Sequence, residues 1–186
     1  MIKDIVVARY NEDISWLSEI NPEFNKIIYN KGENNIEYPF LQLRNWGGDA
    51  HTYIYHIVKN YDQLADFTAF VQGNPFDHCV KTIEIINSHK SEDFVYLADS
   101  ICTESIMGWY ENLIQRRPPE WPVYSLQDSA RYILGEECPF DVTFGAGQQF
   151  IVSKTIIQRR SKDFYMKILD RFEIDFLLPW HIERLW

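Results

Sequence analysis

Cysteine is scarce: Cys79, Cys102 and Cys138 stand far apart and without metal-ligand spacing. An odd, scattered set predicts reduced thiols in a cytoplasmic setting and no structural disulfide. Glycine and proline are also few, at 8 each in 186 residues, which excludes a collagen-like or low-complexity chain. Positive charge is in deficit. Against 27 Asp and Glu stand 18 Lys and Arg, a net charge of −9, so no uniformly basic surface meets a nucleic-acid backbone or an anionic membrane. A local basic pocket for one small anion, such as a nucleotide diphosphate, remains compatible with that total. No run approaches the roughly 20 apolar residues that cross a bilayer. The apolar stretch 5–8 is short and ends in Arg9, so a signal peptide is not expected.

Apolar material is plentiful. Aromatic residues make up 16% and apolar residues 46% of the chain, enough to offset the entropy of ordering and to predict one globular domain over 1–186. Residues 5–8 read as a strand covered on both faces, followed by the polar cluster Arg9-Tyr10-Asn11-Glu12-Asp13. Ile14, Trp16, Leu17 and Ile20 carry a short helical pattern, 26–29 a second strand, and 32–48 a long loop. The firmest element is a helix from Asp49 to about Tyr61, with Ala50, Tyr53, Ile54, Ile57 and Val58 at helical spacing and Asp49 placed to cap the first turn. Residues 67–71 predict a central strand that runs into Gln72-Gly73-Asn74-Pro75. A helix opening at Phe76 or Asp77 is expected to bury Cys79, Val80, Ile83 and Ile86. Further expectations are a strand over 94–98, a stiff loop within 107–124, a short helix over 129–134, apolar segments 140–144 and 149–152 around Gly145-Ala146-Gly147, and a helix over 164–172. Strands separated by helices predict an α/β fold, a three-layer αβα domain with a mixed, mostly parallel sheet. In such sheets ligands sit at the carboxyl ends of strands, here the loops after Ala8, Tyr29 and Val71.

Gln72-Gly73-Asn74-Pro75-Phe76-Asp77-His78 is the richest polar loop, with amide, carboxylate and imidazole within seven residues of the best strand. Asp77 and His78 suit a divalent metal that bridges two phosphates; equally, Asp77 reads as a helix cap with His78 in its first turn. Arg9-Tyr10-Asn11-Glu12 can pair with a nucleobase edge and stack on it, or form an ordinary strand-to-helix loop. Near the end, Glu183 can act as a general base and His181 as a further metal ligand; the plainer reading is a solvated helix end in which Trp180, Leu185 and Trp186 pack. Gly145-Ala146-Gly147 lacks dinucleotide-site spacing. No serine or cysteine has nucleophile-elbow or papain-like surroundings.

Six short segments in this order carry a likeness: Val6-Val7-Ala8-Arg9-Tyr10-Asn11-Glu12-Asp13, Tyr29-Asn30-Lys31-Gly32, Gly48-Asp49-Ala50-His51, Phe70-Val71-Gln72-Gly73-Asn74-Pro75-Phe76-Asp77-His78, Gly145-Ala146-Gly147-Gln148-Gln149-Phe150 and Glu183-Arg184-Leu185-Trp186. They resemble a domain-of-unknown-function family that is itself similar to GT-A type nucleotide-sugar glycosyltransferases. The resemblance implies a nucleotide over the first strand ends beside Asn11 and Glu12, and an acceptor-facing wall near the Gly145 turn. It would place a metal-binding Asp-x-Asp just after residue 71, where this chain has Gln72-Gly73-Asn74. That departure leaves three options: a shifted Mn²⁺ or Mg²⁺ ligand set of Asp77, His78 and His181, a metal-independent transferase in which Lys31 or Arg9 meets the diphosphate, or a fold without activity.

The expectation from all of this is transfer of a sugar from a nucleotide-diphosphate donor to a carbohydrate acceptor such as a surface glycan. Arg9, Asn11, Glu12, Lys31, Gln72, Asn74 and Gln149 are the expected substrate-binding residues, and Glu183 and Asp77 the catalytic ones. The alternatives are a non-catalytic carbohydrate- or protein-binding module on the same fold, and a metal-dependent hydrolase using Asp77, His78 and His181.

Overall fold

A computed structural model of the chain describes residues 1–105 and 119–186. Strands β1 (Lys3–Arg9), β2 (Phe24–Asn30), β3 (Phe40–Gln42), β4 (Phe67–Gln72), β5 (Phe94–Tyr96) and β8 (Phe150–Ser153) form one sheet in the order β3-β2-β1-β4-β8-β5. The first four run parallel, and β8 is antiparallel to both β4 and β5. Strands β6 (Ile101–Ser105) and β7 (Asp141–Gly145) make a separate antiparallel pair. Among the described residues the α-helices are α1 (Gly48–Asn60), α2 (Thr82–Ser88), α3 (Leu126–Leu134), the single turn α4 (Lys154–Ile157), α5 (Lys162–Arg171) and α6 (Leu178–Leu185).

The sheet is covered on both sides, which is why its central strands β1 and β4 are mostly apolar on both faces. Alternation along β1 sends Val6 to one face and Ile5 and Val7 to the other. Val6 and Phe70 meet Tyr53, Ile54 and Ile57 of α1, Ile168 of α5, and Leu178 and Ile182 of α6. On the opposite face, Ile5, Val7 and Val71 meet Trp16, Leu17 and Ile86. Helix, sheet and helix give the three-layer αβα arrangement expected from the sequence.

Several local features differ from the sequence reading. Residues 40–42 of the long loop pair with 28–30 as the edge strand β3, a partnership too short to leave a periodic signal. Val80 is 72% exposed, because the chain turns as 3-10 helix at Pro75–Asp77 and becomes α-helical only at Thr82. The C-terminal segment is no solvated helix end: α6 buries His181, Leu178 and Ile182 against the core. The stiff loop read within 107–124 lies outside the described residues as far as Pro118. All three cysteines are free thiols, as expected.

Strand β1 lies between β2 and β4, so the chain leaves it on one side first and returns on the other. Such a reversal of strand order parts the connecting loops and opens a crevice at the carboxyl ends.

Candidate functional site

Beyond the carboxyl ends of β1, β2 and β4 lie two hollows of about 280 and 290 Å³ that share Gly48, Asp49 and Gln72. They form one continuous cleft. Its floor is the start of α1, where Gly47 and Gly48 both take positive φ (59° and 55°); a Cβ on Gly47 would stand 2.6 Å from the Phe172 ring. These glycines let the backbone turn sharply into the helix and present Asp49 to the cleft. The N-cap of α1 is Gly47, which makes no side-chain cap bond, and Asp49 sits in the first turn, where its Oδ1 accepts from Ala50 N–H at 2.9 Å. Its Oδ2 accepts from Gln72 Nε2 at 2.7 Å. Burial raises the Asp49 pKa, with the Gln72 bond opposing the shift.

Lys31 reaches the same cleft from the end of β2. Its Nζ donates to the Trp46 carbonyl at 2.6 Å and to the Gly48 carbonyl, which leaves one N–H for a ligand oxygen. Burial pulls its pKa down to about 8, although the Asp49 carboxylate favours the charged form. Gln72 also donates to the Gly147 carbonyl at 2.9 Å, and Gly147 N–H donates to Glu183 Oε1 at 2.8 Å. Glu183 Oε2 accepts from Arg184 at 3.0 Å, while Arg184 is anchored by Glu104 at 2.8 Å. Burial raises the Glu183 pKa; the Gly147 bond and Arg184 oppose this, and Asp49 adds to it. Gln148, at φ 56°, ties the wall together: with its amide turned so that nitrogen and oxygen meet complementary partners, it donates to Asp49 Oδ1 at 3.1 Å and accepts from Glu183 N–H and Trp186 Nε1–H, each at 2.9 Å. His78 lies against Gly147, so close that a Cβ there would be 2.2 Å from its ring.

The remaining expected residues separate into supports and outliers. Arg9 is 3% exposed and is held by five oxygens: the carbonyls of Tyr10, Glu12 and Glu33 and the side chains of Asn30 and Asn35. It fixes two loops to the end of β1. Glu12 lines the cleft, and its Oε2 accepts from Tyr10 N–H at 2.6 Å. Asn11 accepts from Glu33 N–H at 2.8 Å and faces a wider concavity of about 830 Å³, which Arg9, Glu12 and Tyr38 also line. Asn74 caps the following 3-10 turn. Gln149 is wholly buried and accepts from Gln72 N–H at 3.0 Å while donating to the Pro75 carbonyl at 3.0 Å. Its place is under the loop rather than on a ligand.

The expected metal ligands do not converge. Asp77 is exposed on the 3-10 turn and lines neither half of the cleft, whereas His78 lines one. His181 is 0% exposed, and its Nδ1 is 2.7 Å from Ser129 Oγ, inside the packing of α6 on α3. Burial, with Arg184 and Arg171 nearby, pulls its pKa down to about 3. Among the described residues, no three His, Cys, Asp or Glu side chains gather in a metal-holding group. The set Asp77, His78 and His181 thus does not fit a divalent ion, because one member faces solvent and another lies in the core.

A family model described as Protein of unknown function (DUF3431) matches residues 5–186. The chain belongs to the DUF3431 family. No curated protein and no solved structure matches it. The match spans every part of the cleft in this DUF3431 chain, from Arg9 on β1 to Glu183 on α6. Among the described residues, no helix is long and apolar enough to cross a membrane.

Proposed function

We propose that the protein is a glycosyltransferase that moves a sugar from a nucleotide-diphosphate donor to a carbohydrate acceptor. The observation that carries this reading is the run of adjoining hollows at the switch point, from Asn11 and Tyr38 past Lys31 and Asp49 to Glu183. Their order suits a donor laid out as base, diphosphate and sugar. The base occupies the wide end, where Asn11 and Glu12 face its edge and Tyr38 offers a ring. Lys31 supplies the cation for the diphosphate in an otherwise acidic chain, and Gln72, locked by Asp49 and Gly147, fixes the floor beneath it.

The transferred sugar then lies between Gln72 and Glu183. The acceptor hydroxyl oxygen forms a bond to the anomeric carbon as the bond from that carbon to the diphosphate oxygen breaks, its electron pair leaving with the diphosphate. Glu183 takes the hydroxyl proton. Its burial makes it a stronger base than a carboxylate in water, and Gly147 and Arg184 hold its orientation. Lys31 and Glu183 thus divide the work: charge stabilisation at the leaving group and proton acceptance at the nucleophile.

The test is a thermal-shift series with uridine, guanosine, cytidine and thymidine diphosphates, each with and without Mn²⁺. At a hundredfold excess over Kd, one of them is expected to raise the melting temperature by roughly 5–10 °C, as linkage requires for a chain of this size. A flat response to all of them overturns the reading.

A further inference from the structure

Beside the cleft is a third hollow, of about 270 Å³, whose walls are mainly aromatic: Trp46, Trp121, Phe176 and Trp180. Each of these rings is half-buried, with part of its surface turned outward. Trp46 and Trp121 have centroids 5.1 Å apart, Trp121 and Phe176 6.3 Å, and Phe176 and Trp180 5.7 Å. The rings come from the loop before α1, the loop before α3, and the two turns that lead into and begin α6. The hollow shares Gly48, Pro179 and Trp180 with the Glu183 half of the cleft, and Asn45 with the Lys31 half. An aromatic trough therefore adjoins the half of the cleft that Glu183, the carboxylate assigned to proton acceptance, lines.

We propose that this trough is the acceptor subsite and takes a pyranose ring of a saccharide, laid against the angled Trp46–Trp121 pair on the side that faces the hollow, with one hydroxyl directed past Trp180 toward Glu183. The proposal rests on the glycosyltransferase reading for its role, but not for its chemistry. A pyranose presents a face of C–H bonds, which carry positive partial charge and match the negative face of an aromatic ring. Its rim of hydroxyls finds the few polar groups there, above all Asn45. A cation is disfavoured as the occupant: the Arg44 guanidinium already lies 4.7 Å from the Trp46 ring centroid, and Asp175, the acid in this wall, is paired with Arg171 at 3.4 Å. The nucleobase has its own place at the opposite end of the run of hollows, beside Asn11.

Saturation-transfer NMR, without nucleotide, on the methyl glycosides and disaccharides of glucose, galactose, mannose and N-acetylglucosamine tests this directly. Trp46→Ala, Trp121→Ala and the ring-retaining Trp46→Phe are compared with the unmodified chain. At least one saccharide is expected to receive saturation at its ring C–H protons. Binding should weaken about tenfold in each alanine variant, the loss of one stacked face, and largely recover in Trp46→Phe. The diphosphate-induced thermal shift should survive in all three. Absence of transfer to every saccharide, or transfer unchanged by both alanine substitutions, overturns the proposal. So does loss of the nucleotide shift in the alanine variants, since it would assign the trough to the base. Tryptophan-dependent saccharide binding without any nucleotide response upholds the subsite and removes the transferase reading, so the two can fail separately.

Discussion

Replacing Glu183 by Gln is expected to lower sugar transfer by roughly 10²–10⁴-fold, the usual contribution of a positioned general base, while donor binding is retained. The amide oxygen can still accept from Gly147, and Arg184 stays anchored on Glu104, so the wall of the cleft keeps its shape. The pH profile separates chemistry from structure. Glu183 must be ionised to take the proton, and burial raises its pKa, so the acid limb of kcat/KM lies above the ordinary carboxylate range and vanishes in Glu183→Gln. Lys31 must be protonated to hold the diphosphate, and its pKa is pulled down to about 8, so kcat/KM falls again as pH rises through that value. A bell with those two limbs is the expected result. A wild-type profile that is flat from pH 5 to 9 would deny both roles.

The second large effect concerns stability. Arg9→Met is expected to destabilise the fold by about 1–3 kcal/mol, because it leaves the buried Asn30 side-chain oxygen without its charged donor and removes four further bonds to part-buried oxygens. Three carbonyls and the amides of Asn30 and Asn35 lose their donor at once, and with it the tie between the loops after β1 and β2. Arg9→Lys restores little, since a single ammonium cannot reach acceptors spread around a planar fork. Chemical denaturation measures this as a lower midpoint with an unchanged slope. A midpoint within error of the wild type would mean that the Arg9 network does not hold the two loops.

The parts of this molecule that a one-dimensional reading captures are those whose signal is local. Strands β1 and β4 announce themselves, the first by the apolar run 5–8 and the second by its aromatic and β-branched residues, because both faces of the sheet are covered, and α1 as a helical period because one face is. Glu12, Lys31 and Gln72 are legible because they lie at or just beyond the carboxyl ends of β1, β2 and β4. Side-chain direction is what the sequence withholds. Gly-Gly-Asp before an apolar helix looks alike whether the carboxylate serves the helix N–H groups alone or, as for Asp49, gives its second oxygen to a glutamine across the cleft. Gln149 looks like a strand-end ligand, yet its side chain enters the protein and clamps Gln72 and Pro75. The 3-10 turn at Pro75–Asp77 directs His78 inward and Asp77 to solvent, a choice that no spacing rule contains. His181 sits in a helix of eight residues, too short for a clear period, so its burial against Ser129 is invisible until α6 packs. The aromatic trough is the extreme case. Its rings lie up to 134 positions apart, from Trp46 to Trp180, and become one surface only through the tertiary fold.

The most direct test is a crystal soaked with the diphosphate that gives the largest thermal shift. Density is expected with the phosphates at Lys31 and Gln72, the base toward Asn11 and Tyr38, and Glu183 and the Trp46–Trp121 trough open on the far side. A nucleotide seated outside that run of hollows, or a saturating soak that leaves them without nucleotide density, would contradict the account.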